Sequence, residues 1–280
     1  MMGLWVDAAV WGFFGLLVGS FLNVVIYRLP KMMERQWQLE AAQANSGDEL
    51  TPVAPFNLMV PRSACQQCGH QIRWFENIPI ASYLCLKGQC SNCKTPIGLR
   101  YPAVEVLNGV LFACIALKWG FSANTLVWSL FAIGLVALAF IDWDTTLLPD
   151  DITLPLLWAG LIASAMQWKT PPLDNALWGA VIGYMSLWSI YKIFKFVTDK
   201  EGMGYGDFKL LAALGAWFGW QDLIPIVLIA SVLGVIGGIG LKFASQLREG
   251  AYVPFGPFLA FAGLFLMLTG SQAPLRWLGL

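Results

Sequence analysis

Charge is scarce in this chain. Asp, Glu, Lys and Arg make up only 12% of its 280 residues, about half the fraction usual in soluble domains. The 17 basic and 17 acidic residues cancel, which removes the global basic signal of a nucleic-acid-binding protein. There is a single histidine, His70, so a Ser-His or Cys-His hydrolase would have to rest on one imidazole, and that class is set aside. The first residues lack a basic region and carry Asp7 before a long apolar run, unlike a cleaved signal peptide. Gly3 is not at the second position, which argues against N-myristoylation. What is abundant is apolar surface: 58% hydrophobic residues and a mean hydropathy of +0.63. That content excludes disorder, and too few charges remain to coat a soluble globule of this size. The expectation is an all-α polytopic membrane protein.

The charge-free intervals mark the spans: 8–27, 106–117, 119–141, 152–168, 175–191, 210–221, 223–241 and 250–275. A span needs about 20 residues. The second interval reaches that length with Glu105 and Lys118 at its ends, where a lysine can snorkel. The sixth is short and spans only by taking in Asp207-Phe208-Lys209, which sets a carboxylate at the membrane boundary. About eight transmembrane helices are predicted. Loops 28–105, 142–151, 192–209 and 242–249 hold 14 of the 17 Lys and Arg residues. The positive-inside rule then makes these loops cytoplasmic and puts both termini outside. Trp5, Trp119, Trp158, Trp168, Trp178, Trp217, Trp220 and Trp277 fall near span ends, where interfacial aromatics gather. The expected division is a first transmembrane helix over 1–30, a cytoplasmic insert over 31–103 and a transmembrane core over 104–280.

In the insert, Lys31 to Asn45 reads as a polar helix, Ser46-Gly47-Asp48 as a break and Thr51 to Pro61 as a Pro-rich linker. Its chemistry lies in Cys65-x-x-Cys68 and Cys90-x-x-Cys93. Two such knuckles at this distance are the pattern of a four-thiolate zinc ribbon, each reversing the chain so that two sulfurs converge on one ion. Gly69 after one knuckle and Gly88 before the other suit tight turns. A reducing cytoplasm favours metal over disulfide. One structural Zn2+ is therefore expected on Cys65, Cys68, Cys90 and Cys93, with no position open for catalysis. Cys85 and Cys114 read as small apolar fillers, and His70 as a surface residue.

The second chemical signal is acidic. The third span runs into Ile141-Asp142-Trp143-Asp144 and on to Leu148-Pro149-Asp150-Asp151, and the sixth opens with Gly204-Tyr205-Gly206-Asp207-Phe208-Lys209. Both clusters fall on the predicted cytoplasmic side. Ionisable groups at membrane depth are costly and point to function. Two aspartates meeting at a low-dielectric boundary do not both ionise easily, so one can hold a proton while the other acts as base on a water, which is the chemistry of aspartic proteolysis. Gly204 and Gly206 would let backbone or a peptide come close to Asp207. Asp207 is the favoured functional acid, while Asp142 stands between function and a helix-end role on physical grounds alone. Asp144, Asp150 and Asp151 read as capping and boundary residues.

The chain resembles a known family in its motifs and their order. Gly15-x-x-x-Gly19-Ser20-Phe21-Leu22-Asn23 through Tyr27-Arg28-Leu29-Pro30 is similar to the opening of the type IV prepilin peptidases, the leader peptidase/N-methyltransferases of type IV pilus and type II secretion systems. The resemblance continues through Pro61-Arg62-Ser63, both knuckles, Asn77-Ile78-Pro79-Ile80 and Arg100-Tyr101-Pro102-x-Val104-Glu105. It ends with Ile141-Asp142 and Gly204-x-Gly206-Asp207. It implies a membrane aspartic endopeptidase of the GxGD type that cuts the basic leader of prepilins or pseudopilins after a glycine at the cytoplasmic face. It implies Asp142 and Asp207 as the catalytic pair, and residence in the bacterial inner membrane. It also implies N-methylation of the exposed amino-terminal residue from S-adenosylmethionine, placed in the insert. There is no Gly-x-Gly-x-x-Gly to mark the donor site; Glu76 and Gly88, with Asn77, Arg73 and Glu105, are candidates. Two other readings fit the sequence less well. A secondary transporter should show an internal repeat between its halves, and none is found. A zinc-ribbon scaffold without activity leaves Gly204-Tyr205-Gly206-Asp207 unexplained.

Overall fold

The computed structural model describes residues 2–46, 55–168, 171–200, 202–243 and 253–270. Among these the chain is helical, apart from two isolated β-bridges, Ala64 to Gln71 and Gln89 to Pro96. The helices are α1 (Met2–Ser46), α2 (Ala81–Cys85), α3 (Arg100–Trp119), α4 (Ala123–Thr145), α5 (Asp150–Ala165), α6 (Leu173–Thr198), α7 (Tyr205–Phe218), α8 (Leu223–Phe243) and α9 (Gly256–Thr269), with a 3-10 turn at Trp74–Asn77. Each predicted span coincides with one helix. Residues 250–252 and 271–275 of the last span, Trp277 and the expected break after Ser46 lie outside the described residues. Helices α1, α3, α4, α6 and α8 are long and apolar enough to cross a membrane, and α9 is apolar but shorter. The polar segment expected as a separate helix after Lys31 is a continuation of α1, which runs through Pro30 without a break.

The chain divides into two compact units, residues 1–120 and 121–280. In the first, α1 packs on α3 through glycine. A Cβ on Gly12 would lie 3.3 Å from Ala113 Cβ, on Gly15 2.7 Å from Phe112 Cβ, and on Gly19 2.8 Å from Glu105 Cα. As the α1 number rises the α3 number falls, so the helices are antiparallel. Small residues let the backbones approach, which lipid-embedded helices need because burial alone does not drive their association. Three polar anchors hold the parts of this unit together. Arg28, buried on α1, donates to the carbonyls of Asn57 (2.9 Å), Leu58 (3.4 Å) and Pro61 (2.7 Å). Asn23 donates to the Tyr101 carbonyl at 3.1 Å. Glu105, buried on α3, accepts the Ile80 N–H at 2.8 Å. Ile80 has φ 60° and ψ −48°, the centre of a γ-turn closed by Ala81 N–H on Pro79 O. A β-branched residue is strained there, and the Glu105 carboxylate holds it in place.

In the second unit α7 is the central helix. Phe208, Leu210, Leu211, Ala213, Leu214, Ala216 and Trp217 are all fully buried. Its neighbours meet it through small residues: Gly179 of α6 and Gly215 of α7 touch backbone to backbone, and a Cβ on Gly183 would lie 2.6 Å from the Leu211 carbonyl oxygen. Trp217, expected at the interface, is instead a core residue. Its indole N–H donates to the Leu156 carbonyl at 2.8 Å, and its ring centroid lies 4.5 Å from that of Phe131. Gly160 leaves the room for that indole, 2.8 Å from where its Cβ would be. Helices α7 and α9 have 14 residues each, a rise of about 21 Å against a hydrocarbon thickness of about 30 Å. Neither rise covers that thickness.

Candidate active site and candidate metal centre

Asp142 lies one turn from the end of α4, and Asp207 in the first turn of α7. Each is 4% exposed, whereas Asp144, Asp150 and Asp151 are exposed. Burial thus separates Asp142 from Asp144, which composition could not. Asp142 is the acidic neighbour whose charge acts on the Asp207 carboxyl. Asp207 Oδ1 is buried with no hydrogen-bond partner among the described residues. A buried carboxyl oxygen in that state is costly and is a natural seat for a water or a substrate group.

The elements around the pair are built for close approach. α4 ends where Thr146 turns left-handed at φ 56° and donates its N–H back to the Asp142 carbonyl at 2.8 Å. The chain then passes Leu148 and Pro149 into α5. Leu148 is wedged between two glycines: a Cβ on Gly206 would lie 2.6 Å from Leu148 Cβ, and one on Gly256 would lie 3.2 Å from Leu148 Cδ1. Gly256, at the start of α9, also faces the acid itself, 2.5 Å from its Cβ position to Asp142 Oδ2. The close neighbour of Gly206 is thus Leu148 rather than Asp207, while a Cβ on Gly204 would be 3.9 Å from Asp207 Oδ2. Phe208, next to Asp207, is clamped by the rings of Tyr184, Tyr191 and Tyr205 at centroid distances of 6.0, 5.6 and 5.5 Å. Lys209 grips both carboxylate oxygens of Asp150 at 2.7 Å, joining the start of α7 to the start of α5. That pair is partly exposed, so its worth is about 0–1 kcal/mol. The sequence pattern missed Leu148, Gly256 and the aromatic clamp, because each acts through a contact distant in the chain.

The candidate metal centre lies in the first unit. The four sulfurs of Cys65, Cys68, Cys90 and Cys93 lie within 4.8 Å of one another, with Cys65 to Cys93 at 3.8 Å and Cys68 to Cys90 at 4.0 Å. A tetrahedral ion with Zn–S bonds of about 2.3 Å requires sulfurs roughly 3.8 Å apart, so the residues fit zinc. The two knuckles share one backbone plan. Gly69 N–H donates to Cys65 O and Lys94 N–H to Cys90 O, at 2.9 and 3.1 Å, and both residues are left-handed, φ 69° and 60°. Lys94, not Gly88, holds the second knuckle's left-handed position. Gly88, φ 68°, instead ends the turn after α2, where its missing Cβ leaves room for the Tyr83 hydroxyl, 2.8 Å away. The Thr95 hydroxyl, 3.2 Å from Cys93 Sγ, pulls that thiol down to about 6, and a thiolate is what a metal ion needs. Cys85 is exposed rather than a core filler, and neither it nor Cys114 joins the cluster.

Beside the first knuckle, a cleft of about 470 Å³ is lined by Arg62, His70, Gln71, Ile72, Arg73, Trp74 and Phe75. Glu76 is not among the lining residues but touches two of them, Arg73 and His70. The backbone N–H of Arg73, then the Ser91 hydroxyl and His70, hold the Glu76 carboxyl at about 2, with distances of 2.8 Å to Arg73 N and 3.3 Å to His70 Nε2. Gly88 is not among the lining residues.

Two families match the chain. The Bacterial Peptidase A24 N-terminal domain covers residues 13–119, and the Type IV leader peptidase family covers residues 129–239. Relatives named prepilin leader peptidase/N-methyltransferase are similar over almost their whole length. The one from Pseudomonas aeruginosa is 52% identical over 92% of this chain and 89% of its own. That from Aeromonas hydrophila is 49% identical over 94% and 91%, and that from Burkholderia pseudomallei 47% identical over 92% and 84%. No solved structure matches.

Proposed function

Because the chain belongs to the type IV leader peptidase family, we propose that Asp142 and Asp207 are the pair with which it hydrolyses a leader peptide. The protein is a membrane enzyme of two activities: it removes the leader of a prepilin and N-methylates the residue so exposed. The observation that carries the assignment is the burial of two acids, one near the end of α4 and one in the first turn of α7, on helix ends brought together around Leu148. Two carboxyls in such a place share one proton. The ionised one takes a proton from a water that attacks the scissile carbonyl, and the protonated one gives its proton to the carbonyl oxygen. Collapse of the tetrahedral centre then expels the amine, which takes up a proton. The bias of Lys and Arg towards loops 28–105, 142–151, 192–209 and 242–249 supports a cytoplasmic position for these loops, with the termini outside. A basic leader would be drawn there by the exposed Asp144, Asp150 and Asp151. The substrate's apolar segment would lie in the bilayer beside the core over 104–280. The substrates are prepilins or pseudopilins.

Methyl transfer uses S-adenosylmethionine, and its seat in this reading is the insert over 31–103. The cleft beside Glu76 suits the donor's chemistry. Trp74, 79% exposed, offers a face for a purine, Arg62 and Arg73 offer partners for a carboxylate, and the ionised Glu76 offers an acceptor for cationic groups. Gly88 shapes the neighbouring turn. The four thiolates would hold a structural zinc that folds the insert and takes no part in the chemistry.

The test follows the two reactions separately. Purified protein in bilayers is given a prepilin and labelled S-adenosylmethionine, and leader loss and label uptake are read independently. Asp142→Asn and Asp207→Asn should each lower cleavage by about 10²–10⁴-fold while a pre-cleaved pilin is still methylated. Unchanged cleavage in either variant would overturn the assignment.

A further inference from the structure

We propose that Gly256 is a positioning residue for leader cleavage: its lack of a side chain lets the start of α9 close over the Asp142 carboxylate and fix where that carboxylate points. The proposal rests on the reading of Asp142 as catalytic. A Cβ on Gly256 would lie 2.5 Å from Asp142 Oδ2, 3.1 Å from its Cγ and 3.2 Å from Leu148 Cδ1. The backbone itself does not call for glycine there, since Gly256 is not among the left-handed residues and begins an ordinary helix with Pro257 next to it. Room for the acid, and for Leu148 beside it, is the reason left for it.

A methyl group at this place would move the carboxylate rather than the helix. The start of α9 is held by the N–H groups of Phe258 and Leu259 on Phe255 O, and by the complete burial of Leu259, Ala260 and Ala262. At Asp142 the atoms met are the end of a short side chain, which gives way more easily than a backbone. Stability would then change little while the carboxylate leaves the place from which it meets Asp207 and the water. A displacement of about 1 Å is enough to lower a rate on the order of a hundredfold.

Gly263, on the same helix, supplies the control. Its Cβ would meet Leu214 Cδ2 at 2.6 Å and Leu135 Cδ1 at 3.0 Å, a crowding of the same degree that touches no carboxylate. Gly256→Ala, Gly263→Ala and Asp142→Asn are made in the full chain, placed in bilayers, and assayed for kcat and KM of leader cleavage, thermal stability and methylation of pre-cleaved pilin. We expect Gly256→Ala to lower kcat about a hundredfold, with KM, methylation and stability close to those of Gly263→Ala, which keeps its cleavage. Cleavage by Gly256→Ala within about threefold of the parent would overturn the proposal, as would an equal loss in Gly263→Ala. Failure of Gly256→Ala to accumulate in the membrane would overturn it too, because crowding relieved by a rotating side chain does not unfold a protein. If Asp142→Asn cleaves at the parent rate, the reading of Asp142 falls instead, whatever Gly256→Ala does.

Discussion

Leu148 lies so close to Gly206 that a Cβ on the glycine would stand 2.6 Å from the leucine Cβ. The atom met is next to the backbone and cannot swing aside, in contrast to the tip of Asp142 that faces Gly256. Gly206→Ala should therefore push the start of α7 away from the α4–α5 turn. Both cleavage and thermal stability should fall, the latter by about 1–3 kcal/mol, as for other overpacked sites. Leu148→Ala keeps its Cβ but removes the Cδ1 and Cγ contacts at 3.1 and 3.3 Å, so the double variant should recover part of the loss. A double-mutant cycle with a coupling of at least about 0.5 kcal/mol checks this contact; strict additivity would refute it.

Zinc content is the next measurable quantity. Four sulfurs already spaced for a tetrahedral ion predict one equivalent of zinc per chain by elemental analysis of protein purified without chelator. Cys65→Ser or Cys90→Ser should lose most of it. Each should open residues 62–98 to protease and lower methylation at least as much as leader cleavage, because thiolate binding of the metal is the folding energy of such a unit. Full methylation in a zinc-free variant would remove this account.

How much was legible in the chain follows from the range of the contacts. The knuckles are local, four residues each, so their chemistry could be read directly, as could spans set by charge-free runs. Asp142 and Asp144 are equivalent as text. Only packing against α7 and α9 buries one and leaves the other in water. Trp217 reads as an interfacial anchor until Leu156 supplies a carbonyl for its indole. Gly256 carries no pattern of its own, since its meaning is the carboxylate it faces. Pro30 is the reverse case: a residue that ends most helices lies here inside one, and α1 continues through it to Ser46.

The acid limit of the insert is predicted by the sign of one shift. Glu76 is held at about 2, below its ordinary 4.5, by the Arg73 N–H first and by Ser91 and His70 after it. A carboxyl lowered in the folded state contributes stability that is fully present above its unfolded value and is lost as pH falls through the folded one. Hydrogen-exchange protection of the Arg73 amide should thus be flat from pH 7 to about 4.5, fall progressively below that and level off near about 2. Any loosening between pH 6 and 4.5 should track protons displacing metal from the thiolates, and Glu76→Gln should shift neither its midpoint nor its slope. A loss of Arg73 protection centred at pH 4.5 in zinc-loaded protein would contradict this.

Arg28 predicts how the insert is held to the first helix. Its guanidinium is buried and serves three carbonyls, those of Asn57, Leu58 and Pro61. The planar fork of arginine reaches several acceptors at once, whereas a lysine ammonium is a single point. Removing the guanidinium takes three charge-assisted hydrogen bonds from this segment, at about 1–3 kcal/mol for such a loss. Arg28→Ala should therefore raise the opening equilibrium of residues 55–61 by roughly 5- to 150-fold, read as the rate of proteolytic nicking in that segment under conditions where reclosing is fast. Arg28→Lys should fall between the two, since one hydrogen bond can persist. If, as proposed, Asp142 and Asp207 of the second unit carry cleavage, the peptidase rate of the un-nicked variant should stay within about threefold of the parent, while methylation falls. Equal nicking rates in the parent and Arg28→Ala would show that the linker is held by its own packing and not by this side chain.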